Sequence, residues 1–105
     1  MIEYIGDIIR MTSGETNEIT AYIFDEEENP ITEGCTLEIT FPDDHPHLAV
    51  EGFYDDEEIM WRFPVDGADT DGFIGKMYYV IRCDGCALNF PSPLYLVGDG
   101  LWLSR

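Results

Sequence analysis

The residues best equipped for chemistry are three cysteines and two histidines. Cys83-Asp84-Gly85-Cys86 sets two thiols on either side of a two-residue turn, a spacing that can offer two thiolates to one Zn²⁺. A closed tetrahedral centre needs two further ligands, and the remaining Cys and His residues are Cys35, His45 and His47. These five are the weak candidates for a Cys3His or Cys2His2 site, and their spacing does not support one. A redox pair would want a helix N-terminus to depress a thiol pKa, whereas this turn is acidic. Cys83 and Cys86 therefore read first as residues flanking a hairpin turn, with metal binding or a disulfide formed on oxidation as the other options.

Oxygen-rich segments come next. Asp66-Gly67-Ala68-Asp69-Thr70-Asp71-Gly72 resembles part of a calcium loop, with acids at alternate positions and glycines for the turn. The Glu required twelfth in line is missing: the count reaches Met77 from Asp66 and Val80 from Asp69. The segment reads as a polar loop between strands. Asp43-Asp44-His45-Pro46-His47 could polarise an imidazole, but a hydrolytic triad also needs a nucleophile. Ser13, Ser92 and Ser104 stand in turn or tail contexts, without a Gly-x-Ser-x-Gly elbow. Asp55-Asp56-Glu57-Glu58 pairs acids, yet adjacent acids at a turn face solvent, and no sugar cleft is legible. No catalytic residue and no cofactor is expected.

Charge limits the partners. The chain has 22 acidic residues against 5 Lys and Arg, a net charge of -17. Contacts to nucleic-acid phosphates require Lys and Arg, so nucleic acid is not an expected ligand, and an anionic membrane surface would repel the chain. Basic protein surfaces and divalent cations remain. The runs at Asp25, Glu26, Glu27, Glu28 and at Asp55, Asp56, Glu57 are the candidate protein-binding residues, together with Trp102 in the apolar tail Leu101-Trp102-Leu103. That tail either completes a sheet edge or makes an oligomer contact. The start, Met1-Ile2-Glu3-Tyr4, has neither a basic stretch nor a long apolar one, and no apolar run approaches a membrane span. Expected is a soluble protein made in the cytoplasm.

The elements that must carry these residues are strands. Its 105 residues suit one domain, and 45% hydrophobic residues can form one core. Helical periodicity is confined to Ile5, Ile8 and Ile9. Alternation with a period of two is far stronger. Ile19, Ala21 and Ile23 share a face, as do Leu37, Ile39 and Phe41, then Ile59, Trp61 and Phe63, then Met77, Tyr79 and Ile81. Weaker strands are expected at 8–12, 48–54, 94–97 and 101–103. Asp84-Gly85 signals a two-residue hairpin. Pro91 and Pro93 place the last strands at a sheet edge, where a missing N–H is tolerated. These features predict a single all-β domain over residues 1–105, a sandwich of about seven antiparallel strands.

Gly14-Glu15-Thr16, Asp25…Pro30-Ile31, Gly34-Cys35-Thr36 and Gly75-Lys76-Met77-Tyr78-Tyr79 mark the strand boundaries. Over residues 9–97 this grammar resembles the immunoglobulin-like domains of phage and prophage tail or baseplate proteins. Glu28 stands where the family's turn has glycine, and Cys35 where it has alanine. The resemblance implies a non-enzymatic structural or assembly module that contacts other virion proteins or further copies of itself as a homo-oligomer, and a location in the virion. The acidity suggests a second role, a small inhibitor that mimics DNA toward a basic host protein, and the cysteines and histidines suggest a third, a metal-binding domain.

Overall fold

The computed structural model describes residues 1–42 and 47–98. Its strands are β1 (Ile2–Ile5), β2 (Ile8–Thr12), β3 (Asn17–Ala21), β4 (Cys35–Thr40), β5 (Leu48–Glu51), β6 (Phe53–Asp55), β7 (Met60–Val65), β8 (Gly75–Cys83), β9 (Cys86–Ala87) and β10 (Ser92–Val97), with one helical turn, α1 (Gly67–Thr70), between β7 and β8. The larger sheet runs β1-β2-β10-β8-β4-β5, with β9 added to β8, and the smaller runs β3-β7-β6. The fold is all-β.

Burial follows the alternation. Ile19, Ile23, Leu37, Ile39, Phe41, Trp61, Phe63, Met77 and Tyr79 are buried in one core shared by the two sheets, and Ala21 and Ile81 pack against it. Ile9 and Met11 of β2 and Leu94 and Leu96 of β10 complete that core. Ile59 departs from the pattern. It sits in the turn before β7 with φ +57° and is exposed, so the inward face of that strand starts at Trp61.

The strand count and pairing differ from expectation. Ten strands form among the described residues instead of about seven, and β2 pairs with β10 in parallel, with Leu94 opposite Ile9 and Val97 opposite Thr12. The weak helical signal at Ile5, Ile8 and Ile9 belongs to the β1–β2 hairpin, turned at Gly6 with φ +60°. The stretch 48–54 is two strands on different sheets. Gly52 lies between them where the backbone passes over Phe63, and a Cβ there would come within 2.5 Å of that ring. The last strand among the described residues is not an edge either, since β10 lies between β2 and β8. Pro93 is accommodated because β2 joins only from Leu94 onward, so one side of β10 is open at the proline. Residues 101–103 fall outside the described residues.

The Gly14-Glu15-Thr16 turn and the aspartate-rich loop lock together. Asp66 caps α1, its carboxylate accepting the Ala68 N–H at 3.0 Å. Ser13 donates to the Thr70 carbonyl at 2.7 Å, the Gly14 N–H donates to the Thr70 hydroxyl at 3.0 Å, and the Gly67 N–H donates to the Thr16 hydroxyl at 3.0 Å. The loop that resembled a calcium site is one side of a structural clasp.

Candidate functional site

Register decides where the acidic turns meet. β3 and β7 are antiparallel, with Ala21 opposite Trp61 and Asn17 opposite Val65. The chain leaving β3 and the turn leading into β7 therefore emerge at the same end of the smaller sheet. The first carries Asp25–Glu28 and the second Asp55–Glu58. The Trp61 indole N–H donates to the Ile31 carbonyl at 2.6 Å, and the Ile31 N–H donates to the Ile23 carbonyl at 3.0 Å, which ties the first loop to β7. Glu33 and Asp84 join the same end, since the Asp84 N–H donates to the Gly34 carbonyl at 3.1 Å.

Within each turn the first aspartate is structural. Asp25 Oδ1 accepts the N–H groups of Glu27 and Asn29, both at 2.9 Å. Asp55 Oδ1 accepts those of Glu57 and Glu58, at 3.0 and 3.2 Å. Such side-chain-to-backbone bonds are the usual reason aspartate starts a turn. The following acids, Glu26, Glu27, Glu28, Asp56 and Glu57, are exposed and form the accessible negative surface.

Asp55 has a second role that the spacing did not reveal. Its Oδ2 accepts from Arg62 Nε at 2.8 Å, and Arg62 also donates to Glu18 Oε1 at 2.7 Å. The Arg62 hydrogen bond first, then the Glu58 and Glu57 N–H groups, holds the Asp55 carboxyl below its ordinary range, while Glu18 and then Asp55 raise the guanidinium. A depressed carboxyl contributes stability that is present above its unfolded pKa and is lost as pH falls through the lower native value. Asp55→Asn is thus expected to be less stable than the parent at pH 7, with the gap closing in acid. Chemical denaturation of both proteins between about pH 7 and 2 checks this, and a gap constant over that range would contradict it.

Among the described residues the metal candidates do not assemble. Cys35 faces Cys83 across β4 and β8, and Cys83 faces Cys86 across β8 and β9, so the thiols form a row along one sheet face. His47 contacts Thr40 at 3.1 Å, at the far end of β4 and roughly 16 Å of strand from Cys35. His45, like Asp43, Asp44 and Trp102, falls outside the described residues. Among the described residues no three His, Cys, Asp or Glu side chains converge. Asp66 and Asp71, at either side of the segment that resembles part of a calcium loop, are used by the α1 cap and by packing against Gly14.

A groove of about 370 Å³ lies between the end of β3 and β8, lined by Asp7, Tyr22, Phe24, Tyr79, Ile81 and Asn89 among others. Its polar groups serve the fold. The Tyr79 hydroxyl, pushed up by burial, donates to the Asp7 carbonyl, and Asn89 accepts the Ile81 N–H at 2.8 Å. Among the described residues no helix is long and apolar enough to cross a membrane. Comparison with protein-family models, curated proteins and solved structures found no match to this chain.

Proposed function

We propose that this chain is an immunoglobulin-like structural or assembly domain, of the kind found in phage tails and baseplates, that binds a basic protein surface through its acidic end. The observation that carries the reading is the β3–β7 register, which brings Asp25–Glu28 and Asp55–Glu58 together at one end of the domain. Strand order supports the architecture. β3-β7-β6 follows the B-E-D order of an immunoglobulin sheet, and β10-β8-β4-β5 the G-F-C order with an added C′ strand. The inter-sheet disulfide of antibody domains has no counterpart, and Trp61, Phe63 and Leu37 fill the centre. Glu28, at the family's turn-glycine position, has φ +66°, the backbone conformation glycine would provide.

The acidic end would speed encounter and set the salt dependence of binding more than the final affinity. Co-expression with the products of adjacent genes is expected to yield a complex that holds at about 0.05 M NaCl and weakens by about 0.5 M. Combined Glu26→Lys, Glu27→Lys, Asp56→Lys and Glu57→Lys is expected to weaken it by at least about tenfold. Asp69→Lys, on α1 at the opposite end, is expected to leave it unchanged. A complex indifferent to the fourfold reversal would remove the acidic end from the interface. Release of DNA from a nucleic-acid-binding partner would assign that end to phosphate mimicry instead.

A further inference from the structure

We propose that Cys35 and Cys83, rather than the sequence neighbours Cys83 and Cys86, form an oxidisable pair, which thiol–disulfide exchange with a small disulfide of the oxidised-glutathione type closes into a bond between β4 and β8. The hydrogen-bond pattern makes the distinction. The Asp84 N–H donates to the Gly34 carbonyl at 3.1 Å, just outside the Cys35–Cys83 pair. In an antiparallel ladder that bond leaves Cys35 and Cys83 as a non-hydrogen-bonded pair, the closer kind, with Cα atoms about 4.5 Å apart. Across the hairpin the pattern is opposite. Asp84 and Gly85 form a tight turn with φ +51° and +86°, and the Leu88 N–H donates to the Ile81 carbonyl at 2.8 Å. Counting back two residues on each strand makes Cys83 and Cys86 a hydrogen-bonded pair, about 5.5 Å apart at Cα. Facing Cβ atoms are nearest in non-hydrogen-bonded pairs, and a disulfide needs them within about 4.5 Å. Proximity in space thus selects Cys35, which lies 48 positions from Cys83 in the chain.

Exposure orders the steps. Cys35 is buried, Cys83 is half-buried and Cys86 is exposed. Burial, then the neighbouring Cys83 and Asp84, push the Cys35 thiol up to about 12, so within the pair Cys83 reacts before Cys35. The Cys83 thiolate attacks one sulfur of the small disulfide, forms a mixed disulfide and expels one small thiolate, which takes up the Cys83 proton. Cys35 then attacks the Cys83 sulfur. The Cys35–Cys83 bond forms as the mixed bond breaks, and the second small thiolate leaves with the Cys35 proton. Two protein thiols are oxidised and one small disulfide is reduced to two thiols. The new bond closes a loop on the order of 50 residues, which constrains the unfolded chain.

The test uses the full chain, reduced, incubated with oxidised glutathione, alkylated and mapped by mass spectrometry without reduction. The expected result is a Cys35–Cys83 linkage with Cys86 alkylated or carrying glutathione, and a Tm about 10 °C above that of the reduced protein. Cys86→Ser is expected to keep both the linkage and the shift, and Cys83→Ala to lose both. A Cys83–Cys86 linkage, mixed disulfides alone, dimers between chains, or a bridged protein with unchanged or lower Tm would each overturn the proposal. Because Cys83→Ala removes a half-buried thiol, its reduced-state Tm relative to the parent separates a packing loss from loss of the bridge.

Discussion

Phe63→Ala is expected to lower the unfolding free energy by about 4 kcal/mol, within the range for removing a fully buried aromatic side chain. Phe63 is 0% exposed on β7, the middle strand of the smaller sheet. One side of its ring stacks on Trp61, with centroids 6.0 Å apart and the planes at 17°. Another side meets the backbone at Gly52, where the chain crosses from one sheet to the other. Two of its surroundings are therefore a large ring and a tight backbone crossing, which resist collapse into the space left behind. Cavity cost rises with how poorly the surroundings relax, which places the loss toward the upper part of the range. For a domain whose total stability is on the order of 5–15 kcal/mol, that is a large share. Urea unfolding followed by tryptophan fluorescence and by circular dichroism should show a much lower midpoint with a similar slope. A loss under about 1.5 kcal/mol would mean that Gly52 and Trp61 close over the gap. Tyr22→Ala, at a site 65% exposed, serves as the near-neutral control.

Phe63 also marks what was legible in the sequence. Its inward orientation follows from alternation alone, because side chains on a strand change face at every residue. The same reasoning placed Leu37, Ile39 and Met77 in the core. It misplaced Ile59, since a left-handed residue in a turn breaks the count and nothing in an isoleucine side chain announces φ +57°. Pairings between distant strands lay further out of reach. The parallel β2–β10 register joins residues about 85 positions apart, and loop closure carries no local pattern. Pro93 was informative about an unpaired N–H but not about which side of the strand stays open.

The acidic end was partly legible. Clustering of Asp25–Glu28 with Asp55–Glu58 follows from turns gathering at the ends of a sandwich, and the β3–β7 register brings these two runs to the same end. Hidden within the runs was a division of labour. Asp25 and Asp55 head their turns and bond the backbone, while the next acids point outward. Asp-first turns are a known signal, so that distinction could have been drawn from the sequence. The Arg62 bridge to Asp55 and Glu18 could not, because it depends on cross-strand register. The cysteine row was hidden for the same reason. Cys83-x-x-Cys86 drew attention as a motif, but the register places Cys35 directly opposite Cys83.

Gly67→Ala is expected to cost about 3 kcal/mol, through sterics and not through backbone conformation. An added Cβ would stand 2.5 Å from the Gly14 carbonyl oxygen, 2.8 Å from its carbon and 2.9 Å from the Glu15 carbonyl carbon. All three are backbone atoms and cannot swing away as a side-chain end would. Relief requires α1 to move off the 14–16 turn, which opens the bonds that Thr16 and Thr70 make across the clasp. Thr70 is 1% exposed, so its hydroxyl would lose the Gly14 N–H without gaining water in its place. For a domain of this size the expected fall in Tm is about 15 °C. Gly72→Ala separates the two causes. Gly72 has φ +85° with nothing within 4 Å of an added Cβ, so its cost is that of left-handed backbone alone, about 1 kcal/mol. Equal losses at the two glycines would show that the clasp yields and that Gly67 is not confined. The clasp lies at the end opposite Asp25–Glu28, so the proposed acidic interface predicts that Gly67→Ala, assayed well below its Tm, binds a basic partner with the same salt dependence as the parent. Loss of binding in a folded Gly67→Ala protein would move the interface to the α1 end.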